Sequence, residues 1–310
     1  MSLALVQFIP DAAGIPFIKG RVAAFILSTV LIIGSIAAYV TQGLNYGIDF
    51  TGGISIEIQT DGPSDLALIR EIAGELDLGD VQVQNFGAVD EVLIRVQAQE
   101  GDGLEAEQAQ QAANLRLQEA LNEQYPGSID YRSIEVLGAK VSGELQRAGI
   151  IAVAVALFLM LIYIWFRFEW QYSVGAIVAL VHDVILTIGM FAVTQLEFNL
   201  STIAAILTIV GYSMNDTVVV YDRIREKIRK FRKMELDDLL NLAINKTLSR
   251  TILTSLTTLV ALIALYTIGG PALEGFAFAM IWGVVVGTYS SIFVAAPLLM
   301  VTNVARESSD

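Results

Sequence analysis

The 310-residue chain contains no cysteine and a single histidine, His182. The first absence excludes a disulfide frame, a thiolate zinc site and an iron–sulfur cluster, and the second excludes a metal site built on several histidines. Charge is scarce as well. Only 16% of residues are Asp, Glu, Lys or Arg and 55% are apolar, whereas a soluble globule is roughly 25% charged. The little charge there is lies unevenly. Between Thr41 and Ala148 stand 19 acidic and 6 basic residues, while the rest of the chain holds 13 of each, so the whole formal charge of −13 sits in one block. A chain acidic in one block and apolar elsewhere reads as a membrane protein carrying one water-facing domain.

Stretches long enough to cross about 30 Å of hydrocarbon, roughly 20 residues at 1.5 Å each, fall at residues 22–40, 149–166, 172–194, 200–221, 251–268 and 275–301. The first is longer than a signal-peptide apolar core and no clear A-x-A site follows it, so it reads as a retained anchor. The segment 222–250 holds nine basic residues, from Arg223 to Arg250, which places it in the cytoplasm. Alternation puts Lys19 and Arg21 of segment 1–21, Arg167, and Arg306 of segment 302–310 on the same side. Both termini are therefore expected to be cytoplasmic. The acidic block 41–148 then lies across the membrane, as long domains do largely regardless of their charge.

Inside that block Gly53–Thr60 alternates with period two, Ser64–Leu76 has a helical pattern with a Ser/Asp start, and Val81–Phe86 and Val92–Ala98 alternate again. Leu104–Gln124 follows as a second helix, and Ile129–Val136 is extended after the Pro126-Gly127 turn. This β-α-β-β-α-β order predicts a ferredoxin-like α/β domain inserted between the first and second of six transmembrane helices. The fold alone does not specify a function. On the other side of the membrane, Arg223–Leu242 mixes basic residues with Ile224, Ile228, Phe231, Leu236, Leu239 and Leu240. Such a basic amphipathic stretch is expected to lie on anionic lipid, with docking to a cytoplasmic component as the alternative.

Ionisable groups within a span cost roughly 2.5–3.5 kcal/mol at a helix centre, so each needs a reason. His182 and Asp183 fall in the third span, Asp216 in the fourth behind Asn215, and Arg250 opens the fifth. A structural reading satisfies Asp216 with Asn215, Tyr212 or Ser213 and leaves Arg250 as a snorkelling anchor. A functional reading pairs Asp216 with Arg250 as a switch that loads and releases a proton, discharging the ion pair and letting helices repack. In the fifth span Thr254, Thr257 and Thr258 share a face with Arg250 and are placed to bond across to the fourth. In the sixth, Gly275, Ala279, Gly283, Gly287 and Ser291 recur every four residues, a small-residue stripe that lets a neighbouring backbone approach.

Two longer motifs are recognisable. Gly47-Ile-Asp-Phe-Thr-Gly-Gly53, with Asp49, Phe50 and Gly52 within it, and the run from Gly211 through Asn215-Asp216 to Glu226 resemble the SecD/SecF family of export-accessory membrane proteins. The likeness continues through Arg250–Thr258, Gly269-Gly270 and Gly287–Ser291 and covers nearly the whole chain. The first motif suits both branches of the family, but 108 external residues are too few for the larger SecD branch. The resemblance implies a partner half, SecD, in a twelve-span complex similar to the resistance–nodulation–division exporters. It implies work beside the SecYEG channel, with YajC and YidC as further candidate components, on a translocating preprotein. The energy source would be the proton gradient of the bacterial inner membrane, with lipid as surroundings, no cofactor, no metal and no nucleic acid. Asp216 and Arg250 match the family residues linked to proton conduction, and His182-Asp183 matches its third-span pattern. Residues 41–148 would be periplasmic.

Three other classes compete with this reading. An intramembrane aspartyl protease would use Asp183 and Asp216 as a dyad, but Asp216 follows Met214-Asn215 and lacks the G-x-G-D context. Half of a small-molecule exporter would show a polar line through the outer part of several spans, which the sequence does not display. A serine hydrolase is weaker, since Gly211–Asn215 is not G-x-S-x-G.

Overall fold

The computed structural model describes residues 14–99, 101, 104–302 and 304. The expectations for the first thirteen residues and for the tail after Val304, Arg306 included, lie outside them. A 3₁₀ turn, Phe17–Gly20, leads into α1 (Arg21–Gln42), and a single turn, α2 (Ile48–Thr51), follows. Next come β1 (Gly53–Thr60), α3 (Leu66–Gly74), β2 (Val81–Phe86), β3 (Ala88–Val96), α4 (Leu104–Gln124) and β4 (Ile129–Leu137). The remaining helices are α5 (Ala139–Arg167), α6 (Trp170–Thr194), α7 (Leu200–Lys230), α8 (Leu236–Ile268) and α9 (Pro271–Ser290), then a π turn, Ser291–Ala295, and α10 (Ala296–Val301). Among the described residues six helical stretches are long and apolar enough to cross a bilayer.

The four strands form one antiparallel sheet in the order β2-β3-β1-β4, the ferredoxin-like arrangement. Alternation in β1 sends Ile54, Ile56 and Ile58 into a core shared with Ile69 and Ile72 of α3 and Leu117 and Leu121 of α4. Asp65 caps α3, its Oδ1 accepting from the amides of Ala67 and Leu68 at 3.0 Å, so the helix starts at Leu66 rather than Ser64. β3 also starts earlier than the alternation suggests, at Ala88 instead of Val92, because Gly87 turns tightly at φ +87° and pairs Ala88 back to Phe86.

The opposite face of the sheet is polar and looks toward the membrane helices. Glu57 lies there, and burial first, then the charges of Glu135, Glu197 and Glu91, hold its pKa above the usual glutamate range. A carboxyl raised in the folded state costs nothing below its unfolded pKa of about 4.3, and its penalty grows as pH rises through the folded value. Glu57→Gln is therefore expected to raise the melting temperature of the sheet domain in the full chain at neutral pH and to leave it unchanged below about pH 4. An equal gain at both pH values would show that packing, not charge, is responsible.

In the bundle α7 runs along α9, α8 packs against α9, and α1 lies along α6. The segment 222–250, expected as a separate amphipathic loop on lipid, is instead the end of α7, a five-residue connection at 231–235 and the start of α8. Its apolar side is covered by protein: Ile224, Leu239 and Leu240 are fully buried, and Ile228, Phe231 and Leu236 pack on the same core. The chain just before α1 closes the far side. Asn241 and Asn245 of α8 accept from the amides of Ile18 and Ile15, each at 3.0 Å, and Arg21 pairs with Asp237 at 2.7 Å.

The π turn has a local cause. Pro297 has no amide hydrogen and its ring would collide with the carbonyl of Phe293 four residues earlier. The helix widens over Ser291–Ala295, immediately before it, and continues as α10.

Candidate functional site

Asp183 is the centre of a buried polar knot. Its Oδ2 accepts from Ser213 Oγ of α7 at 2.5 Å and from Ser290 Oγ of α9 at 2.8 Å, and its Oδ1 lies 2.9 Å from His182 Nδ1. Asp183 and His182 are 1% and 2% exposed. The His182 ring stacks near Tyr289, whose hydroxyl donates to the Ala24 carbonyl at 2.9 Å and meets Ser28 Oγ at 3.0 Å on α1. One helical turn further along α7, Thr217 and Ser291 share a hydroxyl bond of 2.8 Å. The layer thus joins α1, α6, α7 and α9, with side chains making every link except the one to the Ala24 carbonyl.

Asp216 stands beside this layer and differs from Asp183 in one respect. It is 4% exposed, yet its Oδ2 has no hydrogen-bond partner among the described residues. None of the three neighbours expected to satisfy it does so. Ser213 is committed to Asp183, Tyr212 donates to Thr258 Oγ1 at 3.4 Å, and Asn215 is exposed. Arg250 is exposed too and forms no ion pair with Asp216. The expected switch pair therefore makes no direct ion pair in this conformation, with its acid buried and its base exposed on α8. Thr251, next to Arg250, is buried with its Oγ1 unpaired. Of the three threonines expected to bond across, only Thr258 meets α7. Thr254 and Thr257 return their hydroxyls to carbonyls of their own helix, at 2.9–3.0 Å, the usual alternative for Ser and Thr within a helix.

Close approach of α7 to α9 makes this layer possible. A Cβ at Gly283 would overlap the Ile209 side chain, and one at Gly287 would sit 3.0 Å from Ser213 Cβ. Ala279 and Ser291 are fully buried, whereas a Cβ at Gly275 would meet only the Glu197 carbonyl at 3.7 Å.

The Gly47–Gly53 motif builds a junction between the sheet domain and the start of α7. Asp49 Oδ2 accepts from the Leu200 amide at 2.8 Å, which caps α7 together with Asn199, the N-cap residue that bonds Thr202. Gly47 donates to the Phe198 carbonyl at 3.0 Å, Phe198 donates back to Asn45 at 2.8 Å, and Phe50 packs on the Phe198 ring. Gly47 leaves room for Glu197, while Gly52 and Gly53 take φ of +71° and +122°, with no space for a side chain on Gly53 beside the Val96 carbonyl. From β3, buried Arg95 reaches across to pair with Glu197 and donates to Asn45 at 3.0 Å. The sequence alone singles out neither Arg95 nor Ser290 for these roles. Ser213 shares a helix face with Asp216 by its i, i+3 spacing, yet it bonds Asp183.

The protease reading finds no dyad here. Both Asp183 oxygens are engaged by His182, Ser213 and Ser290 rather than by a second carboxyl.

These elements define a polytopic helical membrane protein with a ferredoxin-like domain inserted after its first span. Residues 117–305 match the family described as protein export membrane protein SecD/SecF, C-terminal, and residues 40–64 match the SecD/SecF GG motif. The chain is 41% identical over 305 residues to the protein translocase subunit SecF of Rickettsia bellii, covering 97% of each chain. To that of Cereibacter sphaeroides it is 43% identical over 304 residues, 96% of this chain and 92% of the other. The crystal structure of SecDF, a translocon-associated membrane protein from Thermus thermophilus, superposes with a TM-score of 0.82 at 33% identity, and a super-membrane-facing form of SecDF gives 0.64. In both, 97% of this chain is covered and the chain spans 39% of the solved one. The chain belongs to the SecD/SecF family of protein-export membrane proteins.

Proposed function

We propose that this chain is an accessory membrane subunit of the Sec preprotein translocase that couples proton entry to late steps of export. The family membership and the full-length likeness to SecF subunits support the export role. One observation carries the coupling: Asp216, a carboxylate held inside the bundle without a partner, opposite a helix whose Arg250 is exposed. A proton taken up by the carboxylate removes a charge that is expensive in the membrane, and its release restores it. The membrane potential supplies about 2.3 kcal/mol per charge per 100 mV to such a step. Asp183 of α6, already bonded to two hydroxyls and His182, holds the layer in register and offers the next acceptor beside α7.

The exposed positions of Asn215 and Arg250 and the largely uncovered α8 fit a half-assembly whose other half is SecD, placed beside SecYEG with YajC and YidC as further neighbours. In this reading both termini are cytoplasmic, residues 41–148 are periplasmic, no cofactor is needed and the chain is not an enzyme. The test is preprotein export into membrane vesicles containing the channel, the ATP motor and SecD, with or without this chain. A gain in late export that requires both the chain and the proton gradient is expected. A gain that survives collapse of the gradient would leave the accessory role and remove the coupling.

A further inference from the structure

On the side of the bundle that carries the sheet domain, α1 packs along α6 while α5 leans on α6 and α7. A cavity of about 560 Å³ opens between them. Val153 of α5, Ile188 of α6 and Ile203 of α7 line it, together with Tyr46 and with Phe50 of the Gly47–Gly53 junction. Around it, Ile33 and Ile36 of α1 and Ile150 and Ile151 of α5 are 51–65% exposed, so the mouth gives onto hydrocarbon.

Polarity and position select the occupant. Water is disfavoured by walls that are almost wholly apolar, and an empty cleft would forfeit the dispersion contacts of its lining. Apart from Ser35, the polar lining groups stand at the domain end, where α1 ends and α5 begins: Tyr39, Tyr46 and Gln146. That is the placement of aromatic and amide groups at a headgroup boundary.

We propose that this cleft is a binding site for one acyl chain of a bilayer lipid, whose ester end is held by Tyr39, Tyr46 and Gln146. The chain would lie against Tyr46 and Phe50, the residues that pack on Phe198 at the start of α7. Bound lipid then stiffens the junction from below, independently of any proton-coupled role. The test uses the full chain in vesicles of phosphatidylethanolamine and phosphatidylglycerol that include a phosphatidylethanolamine with a diazirine on one acyl chain. After irradiation, mass spectrometry is expected to find Val153 and Ile188 labelled several-fold more than Ile33 and Ile151. Ile188→Trp and, separately, Ala154→Trp should each remove the excess while the Ile33 label stays. Equal labelling in the wild-type chain, or an excess that both tryptophans leave intact, overturns the proposal. So does an excess that disappears when SecD is present, since a protein would then cover the cleft.

Discussion

Asp216→Asn is expected to reduce export to the level wild type shows without a proton gradient, at unchanged membrane abundance and with no loss of thermal stability. The stability half of this expectation follows from the site. Asp216 Oδ2 is buried and makes no hydrogen bond, so an amide of the same shape breaks nothing and removes a charge that is costly where it stands. The functional half follows because asparagine cannot titrate. Export is measured in vesicles with and without an uncoupler at matched amounts of protein. Full gradient dependence in the mutant would make Asp216 structural and move the proton path to Asp183 or to the partner half. Arg250→Lys should lose only part of the gain, since a point charge replaces a planar fork.

Replacing Gly283 by Leu is expected to give the largest loss of stability in the bundle. Even a Cβ at this position overlaps the side chain of Ile209, which is 1% exposed on α7. Overpacking of this kind typically costs about 1–3 kcal/mol. The strain falls on the seam that also aligns Ser290 with Asp183 and Ser291 with Thr217, so those bonds should weaken together. Thermal melting in detergent reads the effect, with Gly275→Ala as the control. That position has 3.7 Å to its nearest neighbour, and alanine gains up to about 1 kcal/mol of helix propensity over glycine. Equal melting of the Gly283→Leu variant and wild type would show that α7 and α9 separate without cost.

What the sequence made legible was whatever repeats. Period two exposed β1 and β2, and uninterrupted apolar runs exposed six spans. Features that depend on partners from distant segments did not show. α5 begins ten residues before its apolar run, at Ala139, because Lys140, Glu144 and Arg147 are good helix formers that a hydropathy reading discounts. Arg223–Leu242 looked like a lipid-lying surface because the bundle that buries Ile224 and Leu239 is invisible in one strand of sequence. At the site, Asp183 and Asp216 were visible as isolated acids in apolar surroundings. Their different treatment, one with three partners and the other with an unbonded oxygen, rests on serines of two other helices, a residue type too common in membrane bundles to mark itself. That Asp216 and Arg250 make no direct ion pair depends on how α7 and α8 pack, which spacing does not encode.

The clamp at the head of α7 has a mechanical consequence. Asp49 grips the first amide of that helix, Arg95 holds the preceding turn through Glu197, and Asp216 sits sixteen positions further along the same rod. A straight helix transmits axial displacement with little compliance, and there is no linker at its upper end to take up slack. In the proposed coupling, a slide or tilt begun where Asp216 takes up or releases a proton is carried along α7 to the clamp beneath the sheet. The sheet domain then needs no separate signal, because its footing is the tip of the lever.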